Sequence, residues 1–343
     1  MTKQDRYVKS VHFAFGDESS MSALPQRPLL VLDGAYFAHR SFHSRFSEPR
    51  EAFVDAVLRV IAQEQPDFLA CAWDAEGPNY RHELYADYKS NRPDKDPALV
   101  EHLRICLESL RQLGVAVYEA TGFEGDDVIA TLTRRWTRRG GRAIIYTADK
   151  DILQLVDEDT RVVIGERHFR ADTVVEQYGV PPHLVSSFLA LAGDSADGIP
   201  GIPGIGPQSA ARLLNAFGSL EALVEAAPQS DDRRAHAIVG REEELHLFHK
   251  LTVLSEDVPV EVEDDDLICH VHPANVTREG DQELWEIARK FQQSLDCYRE
   301  RAFAYAERLA LMHDAFEHVR ERSREAKRAA ARLQVQRGYH RGM

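Results

Sequence analysis

The stretch Gly122-Phe123-Glu124-Gly125-Asp126-Asp127, running into Val128-Ile129-Ala130-Thr131-Leu132, constrains this chain more than any other. It sets three carboxylates within four residues at the head of an apolar helical pattern. Acids are stabilised in a helix's first turn by its free N–H groups and its macrodipole. One or two would be ordinary caps, but three crowd one another. Two unit charges ~4 Å apart repel by about 1 kcal/mol in water and about 4 kcal/mol at an effective dielectric of roughly 20. A hard cation lowers that cost, and Mg²⁺ takes carboxylate oxygens. Standing alone, the run would read as a solvated acidic helix start, so the rest of the chain decides.

The pattern recurs along the sequence. Pro28–Gly34 reads as a buried strand that stops at Asp33. Helical spacing over Glu51–Gln63 follows, then a second apolar strand that ends in Asp74. Val100–Leu113 is a helix, and Val115–Glu119 is a short strand leading into the acidic run. Arg142–Thr147 is another strand, followed at once by Ala148-Asp149-Lys150-Asp151. Alternating strands and helices imply a parallel sheet with right-handed crossovers. Ligands of such sheets bind outside the carboxyl ends of the strands. Asp33, Asp74, Glu124, Asp126, Asp127, Asp149 and Asp151 then converge on one rim. A strand-end Asp commonly caps the next helix, but four sites serving only as caps is the poorer account.

Between Glu76 and Pro97 the composition turns basic and aromatic, with Arg81, Tyr85, Tyr88, Lys89 and Arg92 close together. Aromatic and basic residues interleaved in this way suit frayed or single-stranded nucleic acid. Arg161–Ile164 is a weak strand, Asp172–Gly179 a short helix and Leu184–Leu191 an apolar helix. The Gly/Pro-rich segment Gly193–Gly206 follows, and Gln208–Phe217 resumes the helix. Gly204-Ile205-Gly206 ahead of a helix offers backbone N–H groups at a positive helix end, a seat for phosphate. Asp194 and Asp197 stand just before it.

Bulk properties narrow the classes. The 343 residues suit about two domains. No apolar run approaches the roughly 20 residues of a membrane span, and Met1–Gln26 has no signal-peptide core, so a cytoplasmic protein is expected. Cys71, Cys106, Cys269 and Cys297 form no CxxC, which excludes the usual zinc spacing and points to buried thiols. The formal charge of -14 would argue against a nucleic-acid partner if it were evenly spread. It is not: from Arg299 onward there are 11 Lys/Arg against 6 Asp/Glu, in a helical tail.

Taken in order, these blocks resemble the 5′-nuclease (flap endonuclease) superfamily, in particular the 5′-nuclease domain of bacterial DNA polymerase I and its stand-alone phage relatives. The blocks are Val31-Leu32-Asp33-Gly34, Trp73-Asp74, Arg81-His82-Glu83, Tyr88-Lys89-Ser90-Asn91-Arg92, Glu124-Gly125-Asp126-Asp127, Thr147-Ala148-Asp149-Lys150-Asp151 and Gly193-Asp194 through Gly206, spread over residues 28–260. The resemblance implies an α/β fold. It has a PIN-like parallel-sheet nuclease core at 27–180, with a helical arch at 76–97. A helix–three-turn–helix DNA-binding module at 181–262 follows, between a loose arm at 1–26 and a helical extension at 263–343.

It further implies a structure-specific 5′-3′ exonuclease or flap endonuclease of replication or repair, cutting DNA with two Mg²⁺ (or Mn²⁺). Asp33, Asp74, Glu124 and Asp126 match the first metal cluster. Asp149, Asp151, Asp194 and Asp197 match the second, with Asp127 close by. Lys89, Arg92 and Arg81 match catalytic cations, and Tyr85 and Tyr88 DNA contacts. Gly201, Gly204, Ile205, Gly206, Gln208 and Ser209 match the hairpin that grips the duplex backbone, in some members with K⁺. Gly198 stands where Asn is usual, and Gln208 where many members carry Lys. The rival readings are a PIN-type ribonuclease and a non-catalytic DNA-structure-binding factor.

Overall fold

The computed structural model describes residues 28–45, 48–93, 96–271 and 281–297. The expected arm at 1–26 and the helical tail beyond 297 lie outside the described residues. Two compact units are present, one ending at His272 and the other beginning at Pro273. In the second, residues 282–297 are helical; the Asp281 side chain caps the helix by accepting from the Leu284 N–H at 3.0 Å. Leu284, Ile287, Ala288 and Phe291 are its buried residues, at helical spacing.

The first unit is built on a six-stranded sheet. Its elements are β1 (Leu29–Asp33), α1 (Gly34–Phe42), α2 (Pro49–Glu64), β2 (Phe68–Ala72), α3 (Tyr80–Leu84), α4 (Pro97–Gln112), β3 (Ala116–Tyr118), α5 (Gly125–Thr137), β4 (Ala143–Thr147), β5 (Thr160–Ile164), β6 (Arg167–Phe169), α6 (Ala171–Tyr178), α7 (Val185–Ala192), α8 (Pro207–Phe217), α9 (Leu220–Ala226), α10 (Arg233–His236) and α11 (Glu242–Thr252). Strand order is β3-β2-β1-β4-β5-β6, parallel throughout except for the β5/β6 pair. Leu29 to Leu32 are fully buried in succession, because a parallel strand covered on both faces has no polar side.

β1 pairs with β2 on one side and β4 on the other, so the strand order reverses at β1/β4. The crevice of such a sheet opens at this point. Asp33, the last residue of β1, lies against Thr147, the last of β4, with the Thr147 hydroxyl donating to Asp33 Oδ2 at 2.6 Å.

Two elements were not anticipated. α1 begins directly at Asp33, whose Oδ1 accepts from the Tyr36 N–H at 2.9 Å, with no loop to mark it in the sequence. β6 returns antiparallel after Gly165 and is only three residues long. Within the segment expected as an arch, residues 80–84 form α3 and 86–91 a run of turns. All four cysteines are free thiols; Cys71 and Cys106 are buried, but Cys297 is exposed on the 282–297 helix. Among the described residues no helix is long and apolar enough to cross a membrane.

The turn between α7 and α8 is stapled to the end of α7. Asp194 and Ile199 exchange backbone hydrogen bonds of 2.7 and 2.8 Å, and the Ile202 N–H donates to the Leu191 carbonyl at 2.9 Å. Ile199, Ile202 and Ile205 are buried beneath it. Gly201 has φ +69°, and a Cβ there would stand 2.4 Å from the Gly193 nitrogen. Gly201→Ala is therefore expected to cost about 1–3 kcal/mol through backbone strain. Thermal denaturation reads this; an unchanged midpoint would mean that the two backbone segments do not meet.

Candidate active site

Three strands of the sheet, the start of helix α5 and one turn of the helical region deliver acid to the crevice. Asp33 ends β1 and also caps α1. Asp74 follows β2, and its Oδ1 accepts from the Gly125 N–H at 2.7 Å, which ties it to the start of α5. Glu124 caps α5 and Asp126 lies in its first turn. Asp149 follows β4; the Asp149 N–H donates to the Thr147 hydroxyl at 2.9 Å, and Asp149 Oδ1 accepts from the Asp151 N–H at 2.8 Å. Asp194 and Asp197 come from the turn after α7. Ligating oxygens of Asp151, Asp194 and Asp197 all lie within 4.8 Å of one another, and all three residues are buried.

The two halves of the rim are continuous. The Tyr88 hydroxyl lies 2.9 Å from Glu124 Oε2 and 3.1 Å from Asp197 Oδ2, so its single proton is shared between two acceptors. Lys89 Nζ is 2.5 Å from Glu124 Oε1 and 3.7 Å from Asp197 Oδ2. Arg92 reaches Asp197 Oδ1 at 2.8 Å, and Lys150 reaches Asp194 Oδ2 at 2.7 Å. Lys89 has φ +53°, and its N–H donates to the Asp197 carbonyl at 2.9 Å, which holds the basic turn down on the acidic one.

Charge compensation is uneven across this rim. Burial raises the Glu124 carboxyl, but Lys89 and Arg81 outweigh it and hold its pKa below the ordinary value. Burial pushes Asp33 up to about 6, against the Thr147 and Tyr36 hydrogen bonds and with help from Asp74 and Asp149. Asp126 is driven well above the ordinary range by burial and by the charges of Asp149, Asp33, Asp74 and Glu124. Burial likewise raises Asp149 and, with Asp149 and Asp194 beside it, Asp151. Among the described residues, Asp151 Oδ1 is a buried carboxylate oxygen without a hydrogen-bond partner. A set of hard oxygens with unspent acceptor capacity and uncompensated charge fits divalent cations of the Mg²⁺ or Mn²⁺ type.

Several expected residues are placed differently from this group. Asp127 is fully buried and carries Arg81 on both oxygens, at 2.7 and 2.8 Å. Arg81 is itself 1% exposed, so neither faces the crevice. Tyr88 is 2% exposed and offers no ring face to a base. Tyr85 is half-buried, edge-on to Phe248. In the hairpin, Gly201 and Ile205 are buried, Gly204, Gly206 and Gln208 are exposed, and Ser209 is half-buried at the start of α8. Thr147 and Lys150 were not singled out from the sequence. A hydroxyl at a strand end two residues before an Asp was the available signal for Thr147.

Fold and rim together define a metal-dependent nuclease. Residues 28–179 match the family model of the 5′-3′ exonuclease N-terminal resolvase-like domain, and residues 180–276 that of the 5′-3′ exonuclease C-terminal SAM fold. The chain belongs to the 5′-3′ exonuclease family. It is 32% identical over 269 residues to a 5′-3′ exonuclease of Aquifex aeolicus, covering 75% of this chain and 92% of the relative. It is 35% identical over 282 residues to DNA polymerase I of Pseudomonas aeruginosa, but spans only 30% of that protein. In fold it is similar to the bacteriophage T5 flap endonuclease solved with DNA and metal ions, with a TM-score of 0.58 at 18% identity, covering 78% of this chain and 98% of that one. The T5 5′-exonuclease with zinc bound gives 0.59 at 18% identity, over 78% of this chain and 99% of that one.

The raised carboxyls have a pH consequence. The folded chain favours protonated Asp33, so the stability this group contributes is complete below 3.8 and is lost as pH rises through about 6. Cation binding needs the deprotonated form. Mn²⁺ affinity, read by calorimetry without DNA, is therefore expected to climb steeply between about pH 5 and about pH 7.5. A flat profile would show that these carboxyls do not ligate.

Proposed function

We propose that this protein hydrolyses DNA at 5′ ends or 5′ flaps, with two Mg²⁺ or Mn²⁺ ions held at the acidic rim. The observation that carries the reading is the crevice itself. There, Asp33, Asp126 and Asp149, three carboxylates with raised pKa, stand beside a buried Asp151–Asp194–Asp197 group in which Asp151 is raised as well and has an unpartnered oxygen. Asp33, Asp74, Glu124 and Asp126 would hold one ion, and Asp149, Asp151, Asp194 and Asp197 the other. Two such ions supply a nucleophile at neutral pH and stabilise the leaving oxygen of the phosphodiester.

The chain's own residues do the rest. Lys89 and Arg92, already leaning over Glu124 and Asp197, balance the charge that builds on the scissile phosphate. Thr147 fixes the Asp33 carboxylate by its hydroxyl and the Asp149 backbone by accepting from it. The exposed backbone of Gly204 and Gly206, with Gln208 and Ser209 at the start of α8, takes the phosphates of the duplex, with K⁺ as an auxiliary ion. The reading divides the chain into a catalytic part at 27–180, a duplex-holding part at 181–262 and a helical extension beyond.

A 5′-flap duplex incubated with and without Mg²⁺, its products sized on a gel beside a matched RNA flap, tests the substrate and the ion at once. Cutting only of the DNA flap, and only with the metal, is expected. Asp126→Ala and Asp149→Ala should each abolish cutting while leaving duplex binding in a gel-shift assay largely intact; turnover in either would sink the site. Lys89→Ala should slow single-turnover cutting by about 100-fold or more without a matching loss of DNA affinity.

A further inference from the structure

Arg81 spends every donor of its guanidinium inside the protein. Nε donates to the Leu251 carbonyl at 2.9 Å. Nη1 donates to Asp127 Oδ2 at 2.7 Å and Glu124 Oε2 at 3.3 Å. Nη2 donates to Asp127 Oδ1 at 2.8 Å and the Val253 carbonyl at 3.1 Å. Five N–H groups thus meet five acceptors, as the rigid fork of an arginine permits and an ammonium with three donors does not. Asp127 is equally committed: beyond the ion pair it accepts from the Ser255 N–H at 2.8 Å and the Glu124 N–H at 3.2 Å.

The carbonyls that Arg81 holds lie in the last turn of α11 and at the start of the strap that leaves it. Side chains around it fasten that strap one peptide after another. Gln154 bonds the Thr252 carbonyl and the Leu254 N–H, and Thr131 the Ser255 carbonyl and the Val258 N–H. α11 packs on α7, and α7 runs straight into Asp194. An unbroken run of hydrogen bonds and packed helices therefore joins Glu124, on one half of the rim, to Asp194 and Asp197 on the other. Stability alone gives little reason for such a pair. Replacing a buried ion pair with apolar residues of similar volume is often neutral or stabilising by about 1–4 kcal/mol.

We propose that Arg81, locked by Asp127, is a positioning residue for the reaction: it fixes the Glu124 carboxylate relative to the strap and so sets the spacing between the two halves of the acidic rim. This rests on the reading that Glu124 holds an ion. Neither Arg81 nor Asp127 then touches substrate or metal; both act through Glu124.

The test uses the full chain with Arg81→Lys, the paired Arg81→Met/Asp127→Leu, and Glu124→Gln. The readouts are melting temperature, calorimetric Mn²⁺ affinity without DNA, DNA affinity and single-turnover cutting. In the paired variant and in Arg81→Lys, Mn²⁺ affinity and cutting rate should each fall about 10–100-fold, as for other residues that orient a metal ligand, with DNA affinity unchanged. A paired variant that folds and keeps the native Mn²⁺ affinity and rate overturns the proposal. Should that variant unfold, Arg81→Lys decides on the same terms, since it keeps the buried charge paired. Normal cutting by Glu124→Gln would instead overturn the site reading. Loss there, with native behaviour of the Arg81 variants, would overturn this inference alone.

Discussion

Mutual repulsion of carboxylates in a partly dry crevice is the constraint around which this protein is arranged. Water would screen such a group to a small cost, but burial multiplies it several-fold. The chain offsets part of the charge with its own cations, and does so at some acids and not at others. Glu124, Asp194 and Asp197 form ion pairs with Lys89, Arg92 and Lys150, whereas among the described residues Asp33 and Asp126 form none. That asymmetry separates a site built to take cations from a network built to stabilise a fold.

Topology delivers the acids cheaply. In a parallel sheet every strand ends at the same edge, and reversal of strand order at β1 opens a gap beside that edge. Only Asp194 and Asp197 come from elsewhere, and the hairpin that carries them is fastened to α7 by backbone hydrogen bonds and buried isoleucines. Tyr88 and Lys89 then close the gap between the groups.

Much of this was legible in the sequence because it repeats locally. Apolar runs that stop at Asp33 and Asp74, and the strand that stops just ahead of Asp149, announce the strands, their direction and the rim together. Gly193–Gly206 likewise announces a turn. Features set by distant partners were not legible. Arg81 looked like one more cation in a basic segment, yet its acceptors lie at Asp127, Leu251 and Val253. Tyr88 looked like a stacking surface, yet its hydroxyl is drawn inward by two acids far along the chain. α1 was hidden because Asp33 serves as strand end, helix cap and rim carboxylate at once. β6, three residues long, has too short a pattern to stand out.

The strap from Leu251 to Val260 also bears on how such a chain can be inherited. It is sewn to α5 by Asp127, Thr131 and Arg135, and Arg134 and Arg138 grip Glu256 beside them. Sequence families change over between residues 179 and 180, but the folded object has no seam there. A recombinant gene joining the first part of one homologue to the second part of another would have to keep Asp127, Thr131 and Arg135 against the strap's backbone and Arg134 and Arg138 against Glu256. The two parts are thus bound to a shared evolutionary history.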